Sequence, residues 1–141
     1  MSTLTLVDSR QNTVDRKSDK KIKTFQDLQV WKTAHSFVLE IYKISYNFPK
    51  DELYGITSQI RRSSVSIPAN IAEGFSRRSN LDKNHFYNIA QSSLHEVKYY
   101  LILIQDLGFI DSKTKLWTQA QEIGKMLHGL IESVKINYAK K

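Results

Sequence analysis

Apolar residues recur with helical spacing in four stretches of the chain, which short polar turns separate. In the last stretch, Leu116, Ala120, Ile123 and Leu127 follow one another at intervals of three or four residues. This spacing places them on one face of an α-helix. The four predicted helices cover residues 24–47, 50–74, 79–107 and 112–138. Amphipathic helices joined by short loops predict an all-α, antiparallel, up-down-up-down four-helix bundle over residues 23–141.

The second predicted helix has two apolar faces. Its bulky face is formed by Leu53, Ile56, Ile60, Ser64, Ile67 and Ile71. Nearly opposite lie the smaller residues Val65, Ala69 and Ala72, against which another helix or another subunit can pack closely. Pro68 is expected to kink this helix because it removes one backbone hydrogen bond. Gly74 is expected to end the helix in the left-handed conformation.

A polar pair, Asn70 and Glu73, lies beside the isoleucine face of the same helix. Such a pair either fixes the helix register and the kinked backbone or contacts a partner, and we favour the structural role. A structural and oligomeric role is therefore predicted for Ile60, Val65, Ile67, Pro68, Ala69, Asn70, Ile71, Ala72, Glu73 and Gly74.

Composition narrows the class of protein. A length of 141 residues suits one domain. The absence of cysteine excludes a disulfide framework and a thiolate zinc site. No apolar run approaches the roughly 20 residues that span a bilayer, so no membrane association and a cytoplasmic location are expected. Residues 1–22 are polar and rich in lysine without a helical stripe, which predicts a flexible basic N-terminal arm.

The sequence contains no motif that indicates a catalytic site. Di-iron sites in four-helix bundles need Glu-x-x-His pairs on facing helices, and no glutamate here is followed by histidine at the third position. The four histidines form no His-x-x-x-His pair. The chain also lacks a Gly-x-Ser-x-Gly elbow and a glycine-rich phosphate loop. We therefore expect no catalytic residue, no metal site and no cofactor.

Basic residues provide the remaining candidate chemistry. The formal net charge is +7, and arginines occur in two adjacent pairs. Paired guanidinium groups suit phosphate oxygens because each can donate two parallel hydrogen bonds. The alternative is that these arginines lie on a solvated surface and pair with acidic side chains. The residues predicted to bind nucleic acid are Lys20, Lys21, Lys23, Arg61, Arg62, Arg77 and Arg78.

Three segments carry a family resemblance: FQDLQVWKTAHSF, LYGITSQIRRSSVSIPANIAEGFSRRS and FYNIAQSSLHEVKYYLILIQDLGFI. Together they resemble the four-helix-bundle family encoded in intervening sequences of bacterial 23S ribosomal RNA genes. That family is related to the accessory variability protein of diversity-generating retroelements. The resemblance extends over residues 25–110, and its most specific part is SIPANIAEG beside QIRRSS.

The resemblance implies a non-enzymatic bundle that assembles into a ring-like homopentamer. The retroelement relatives bind nucleic acid and a reverse transcriptase through a basic surface. The leading hypothesis is therefore an oligomeric accessory protein that binds structured RNA or duplex DNA without sequence specificity, with a reverse transcriptase as an additional partner. The alternative hypothesis is a protein-interaction scaffold that makes no direct contact with nucleic acid.

Overall fold

Four α-helices make up most of the described chain. A computed structural model describes residues 21–140, and side chains through residue 136. The helices are α1 (Gln29–Ser45), α2 (Ser58–Ser76), α3 (Asn80–Asp106) and α4 (Thr114–Lys140). No strand occurs between residues 21 and 140, which confirms the all-α prediction. Lys20 and most of the predicted N-terminal arm lie outside the described residues.

The helices form a closed four-helix bundle. Each helix packs against the next one in the chain, and α4 packs back against α1. The most extensive contact joins α2 and α3. Because the connections are short, consecutive helices run antiparallel, and the predicted up-down-up-down topology is confirmed. No helix within residues 21–140 combines the length and the apolarity that a bilayer crossing requires.

The predicted apolar stripes meet in one core. Full burial of a leucine or isoleucine side chain contributes about 1.5–3 kcal/mol, so these positions dominate the stability of the bundle. The stripe of α4 is buried as predicted from Leu116 to Leu127, and burial continues through Val134. The fully buried apolar positions include Ala34, Phe37, Ile41, Ile60, Ile67, Ile71, Val97, Leu101, Ile123 and Leu127.

The first helix starts later than predicted. A short 3-10 turn (Phe25–Asp27) precedes α1, and Leu28 between them has extended backbone geometry. Asp27 caps this turn, because its carboxylate accepts hydrogen bonds from the backbone N–H groups of Lys23 at 2.9 Å and Thr24 at 3.0 Å. The cap therefore stabilises the 3-10 turn rather than α1 itself.

The entry to α2 is irregular. A 3-10 turn (Lys50–Glu52) and a π-helical turn (Leu53–Thr57) precede the regular helix. Glu52 stabilises this entry, because its side chain accepts a hydrogen bond from the Ile56 backbone N–H at 3.1 Å. A π turn contains one more residue than an α turn, so the residues at its start rotate relative to the helix that follows. Leu53, predicted to lie on the buried stripe, is accordingly 47% exposed.

The predicted end of α2 at Gly74 is wrong. The helix continues to Ser76, and Gly108 is the glycine with positive φ among the described residues. Gly74 is instead buried against the Tyr87 ring, where a Cβ atom would lie 2.5 Å from Tyr87 Cε1. Close packing between α2 and α3 therefore explains this glycine. The helix also continues through Pro68. The residue with non-helical backbone geometry is Gly55, in the π-helical turn before α2.

Gly108 ends α3. Its φ of 81° lies in the left-handed region that glycine favours. The backbone N–H of Phe109 donates to the carbonyl of Ile104 at 2.9 Å, and that of Gly108 donates to the carbonyl of Gln105 at 3.0 Å. These two bonds form a Schellman motif, which satisfies carbonyl groups at the helix end.

Candidate nucleic-acid interface

The bundle places the predicted basic residues in two separate regions. Arg61 and Arg62 lie in the first turns of α2, whereas Arg77 and Arg78 follow its last turn. Fourteen helical residues, 63–76, separate the two pairs, which corresponds to about 22 Å along the helix. Because α1 and α2 are antiparallel, and because the turn before α1 contacts α2, the exposed residues Lys21 and Lys23 lie at the Arg77 end.

Arg61 points towards α1 and is held there by two contacts. Its Nε–H group donates to Ser45 Oγ at 2.8 Å, and its guanidinium lies 4.6 Å from the centroid of the Tyr42 ring. The cation–π contact and the hydrogen bond restrict the side chain. Within residues 21–136, Arg61 has no carboxylate partner, so its charge is positioned but not neutralised.

Arg62 points the other way, towards α3. It donates to Gln59 Oε1 at 2.7 Å and forms an ion pair with Glu96 Oε2 at 3.4 Å. The same carboxylate oxygen accepts a hydrogen bond from Tyr100 Oη at 3.0 Å. Burial raises the pKa of Tyr100, and the hydrogen bond to Glu96 raises it further. Arg62 is therefore part of a polar network that links α2 and α3. This agrees with the alternative given above for the arginines, in which they pair with acidic side chains at the surface.

The two arginines at the end of α2 also differ in their surroundings. Arg77 forms an ion pair with Glu73, and its guanidinium lies 4.6 Å from the centroid of the Phe86 ring. Arg78 is exposed and makes no hydrogen bond or ion pair within the described part of the chain. Of the four predicted arginines, Arg61 and Arg78 thus keep a charge that no carboxylate of residues 21–136 offsets.

A further cation at this end was not identified from the sequence. Lys83, in the first turns of α3, donates from Nζ to the backbone carbonyl of Phe75 at 2.8 Å. Its ammonium group also lies 5.4 Å from the Phe75 ring centroid, and burial lowers its pKa. A cation at a helix C-terminus stabilises the helix dipole. Lys83 therefore stabilises the end of α2, a role that depends on a contact across the loop.

The residues predicted to be structural or oligomeric separate into an inner and an outer group. Asn70 belongs to the contact between α2 and α3: its Nδ2 donates to the Ser66 carbonyl at 2.8 Å, and Ser66 Oγ is hydrogen-bonded to Ser93 Oγ at 2.8 Å. Ala72 is half-buried. Buried inside the bundle are Ile60, Ile67, Pro68, Ile71 and Gly74, whereas Val65, Ala69 and Glu73 are exposed.

Apolar side chains also cover the outer surface of α1. Leu39, Tyr42 and Tyr46 are 57%, 43% and 83% exposed. On a helical wheel they lie within about 60° of one another. Tyr42 contacts Arg61 at the junction of α1 and α2, so this surface continues towards Val65 and Ala69 of α2. We refer to these five residues as the α1–α2 face.

Two lysines and a tryptophan that were not identified from the sequence lie together between α3 and α4. Lys98 and Lys113 approach the Trp117 ring, with Nζ atoms 5.5 Å and 5.6 Å from its centroid. The four-residue spacing of Lys113 and Trp117 was a detectable signal, because it places both on one side of a helix. The contribution of Lys98 depends on the packing of α3 against α4. Within the described residues, no group of three or more metal-ligating side chains is present.

Comparison with known proteins identifies a family and gives a structural relative. Residues 26–129 match a family model described as 23S rRNA-intervening sequence protein. A search of curated protein sequences finds no match. The fold is similar to a crystal structure from Bacteroides thetaiotaomicron, described as a protein with unknown function from the S23 ribosomal protein family. That protein is 29% identical, the similarity covers 72% of this chain and 97% of that chain, and the TM-score is 0.65.

Proposed function

Because the chain belongs to the family of 23S rRNA-intervening sequence proteins, we propose that it is a non-enzymatic, oligomeric accessory protein that binds structured RNA or duplex DNA. The observation that carries this proposal is the pair of uncompensated arginines, Arg61 and Arg78, on a chain with a formal net charge of +7. Arg78 is exposed, whereas Arg61 is half-buried over the Tyr42 ring and has only its terminal N–H groups left to donate to phosphate oxygens. Phosphate contacts supply affinity without sequence specificity.

Oligomerisation would strengthen this binding. The α1–α2 face exposes apolar side chains of a kind that a second subunit buries, and the resemblance described above implies a homopentamer. In such a ring the phosphate contacts of each subunit are repeated, and several weak contacts combine through multivalency. A reverse transcriptase as protein partner remains a prediction of the resemblance.

The salt dependence of binding tests the phosphate contacts. Binding to duplex DNA or structured RNA should weaken steeply with added salt, and the slope of log K against log salt should fall by about 0.9 for each duplex phosphate that the protein no longer neutralises. We expect the Arg61→Gln, Arg78→Gln variant to reduce this slope, and replacement of Arg62 and Arg77 as well to flatten it further. Fluorescence anisotropy over a salt series measures the effect.

The matched control is the Arg62→Gln, Arg77→Gln variant. It removes the same net charge from the same helix, so it lowers long-range attraction equally. Because Arg62 and Arg77 are already paired with Glu96 and Glu73, we expect a smaller change in slope. If the slope of log K against log salt were equal for the two double variants, Arg61 and Arg78 would contribute no more to binding than Arg62 and Arg77. Affinity that responds neither to salt nor to any of these substitutions would disprove nucleic-acid binding through these residues.

The second candidate function is a protein-interaction scaffold. The exposure of Tyr46, Leu53 and Tyr54, at 83%, 47% and 92%, favours it. Large apolar side chains at the surface are typical of protein interfaces. Tight binding of a co-encoded protein, together with no affinity for nucleic acid at low salt, would support the scaffold over the leading proposal.

A further inference from the structure

A groove lined by basic residues runs between α3 and α4, on a different side of the bundle from the α1–α2 face. It consists of two adjoining depressions of about 540 Å³ and 460 Å³. Trp117 lines the first and Lys98 the second, and the contact of Lys98 Nζ with the Trp117 ring joins them. From Lys113 to His128 the groove follows α4 for about 22 Å.

The floor of the groove is apolar. Leu94 of α3 lies against Gly124 of α4, where a Cβ atom would lie 3.3 Å from Leu94 Cδ2. Absence of a side chain at position 124 thus lets the two helices approach at this point. The indole of Trp117 is half-buried and packs partly against the core, so one part of the ring is fixed while another part faces the groove.

The charges in the groove are uncompensated. Lys98, Lys113 and Lys125 line it, and none of them forms an ion pair within the described residues. No acidic residue is among the side chains that line either depression. This distinguishes the groove from the arginine pairs on α2, where Arg62 and Arg77 are matched with carboxylates. The groove therefore favours an anionic occupant.

We infer that this groove binds an unpaired nucleic-acid strand. Lys98 and Lys113, which lie over the Trp117 ring, turn with Lys125 to the phosphates, and a base takes their place against the ring. Stacking platforms combined with a positively charged groove are the features that bind single strands without sequence preference. A duplex keeps its base faces inside the helix, so it cannot offer phosphate and base face together. An acidic peptide offers carboxylates but no base to stack. The inference rests on the proposed nucleic-acid function and adds a site for single strands.

Tryptophan fluorescence provides a direct test, because the chain contains only two tryptophans, Trp31 and Trp117. In a Trp31→Phe variant, Trp117 is the sole indole. We expect a short oligodeoxythymidine to quench its fluorescence in a saturable way. Trp117→Ala should weaken binding of the oligonucleotide, measured by anisotropy, about 10-fold.

The lysines are tested by a charge-matched pair of variants in the Trp31→Phe background. Replacement of Lys98, Lys113 and Lys125 by Gln should reduce the slope of log K against log salt by about 2, since each phosphate contact of a single strand contributes about 0.7. The control replaces the exposed residues Lys32, Lys43 and Lys50 by Gln, which removes the same charge outside the groove. The control should retain Trp117 quenching with a smaller change in slope.

Three outcomes would overturn the inference. If structured RNA or duplex DNA binds but oligodeoxythymidine does not quench Trp117, the groove is not a single-strand site, and the proposed function stands. If poly-glutamate quenches Trp117 as strongly as the oligonucleotide, the groove binds acidic peptides instead. If no nucleic acid binds at low salt, the inference and the proposed function fail together.

Discussion

Gly74 and Gly129 both lie in helix interiors but have different surroundings. A Cβ atom at position 74 would lie 2.5 Å from the Tyr87 ring and 3.0 Å from the backbone carbonyl oxygen of Lys83. At position 129 it would meet nothing within 4 Å. The first glycine is therefore required by packing. The second only lowers the stability of α4, because glycine has the greater conformational freedom in the unfolded chain.

Substitution of each glycine by alanine should have opposite effects on the free energy of unfolding. We expect Gly74→Ala to destabilise the protein by about 1–3 kcal/mol, because Tyr87 and α3 must shift to accommodate the methyl group. Gly129→Ala should stabilise it by about 0.5–1 kcal/mol. Urea unfolding followed by circular dichroism measures both. Stabilisation by Gly74→Ala would show that the contact with Tyr87 is not tight.

The contact between α2 and α3 depends on small and polar residues as well as on the core. Ser66, Asn70 and Ser93 form hydrogen bonds across or beside it, and Gly74 admits the ring of Tyr87. Tyr87 is 2% exposed, and burial raises its pKa to about 12. Its ring is therefore part of the interface between these two helices and its ionisation is coupled to their packing.

This coupling predicts a loss of stability at alkaline pH. In the unfolded chain the pKa of a tyrosine is about 10, so the folded state holds the Tyr87 proton more tightly. The contribution of the protonated Tyr87 phenol to the free energy of unfolding is complete below about pH 10. It is lost as the pH rises from about 10 to about 12. In Tyr87→Phe, the free energy of unfolding should fall less over this range. Tyr54→Phe, at a side chain 92% exposed, is the control for loss of a surface phenol.

The alkaline prediction is judged by the difference between variants, because other tyrosines and lysines also titrate in this range. Unfolding curves for wild type, Tyr87→Phe and Tyr54→Phe at several pH values give that difference. Parallel pH profiles for wild type and Tyr87→Phe would mean that Tyr87 ionises without disturbing the contact between α2 and α3.

The whole bundle presents two surfaces with different character. The α1–α2 face is apolar, with Leu39, Tyr42 and Tyr46 exposed beside Val65 of α2. The groove between α3 and α4 is basic and contains Trp117. Because the two surfaces lie on different helix pairs, contact between subunits on one side leaves the other accessible. In an oligomer the groove thus stays open to nucleic acid, whereas Arg61, which contacts Tyr42, borders the interface between subunits.

Charges placed on the α1–α2 face should therefore disrupt assembly. We expect the Val65→Glu, Ala69→Glu variant to shift the protein towards the monomer, because an interface between subunits would bury two new carboxylates, of which only that at position 65 has a basic residue, Arg61, one turn away on α2. Sedimentation equilibrium measures the mass of the assembly. Ser92→Glu, at an exposed position of α3, is the control and should keep the wild-type mass. An unchanged mass for the double variant would exclude this face as the subunit interface.

The helical spacing of apolar residues in the sequence determined the helices and most of their core positions. Ile60, Ile67 and Ile71 of α2 are buried as their spacing predicted, and Gly108 ends α3 through a Schellman motif. These features depend on residues a few positions apart, so the sequence contains the information directly. Leu53 was predicted wrongly because the π turn that begins with it changes the helical period, and the sequence pattern assumes a constant one.

Tertiary packing decided which of the basic residues keep an available charge. Arg61 and Arg62 are neighbours in sequence, yet one contacts Tyr42 of α1 and the other pairs with Glu96 of α3. Likewise, Lys98 meets Trp117 only because α3 and α4 are packed side by side. These contacts join residues far apart in the chain, and ion pairs form between whichever side chains the fold brings within reach. The sequence by itself therefore determined a basic four-helix bundle, and only the packed helices distinguished the paired cations from the unpaired ones.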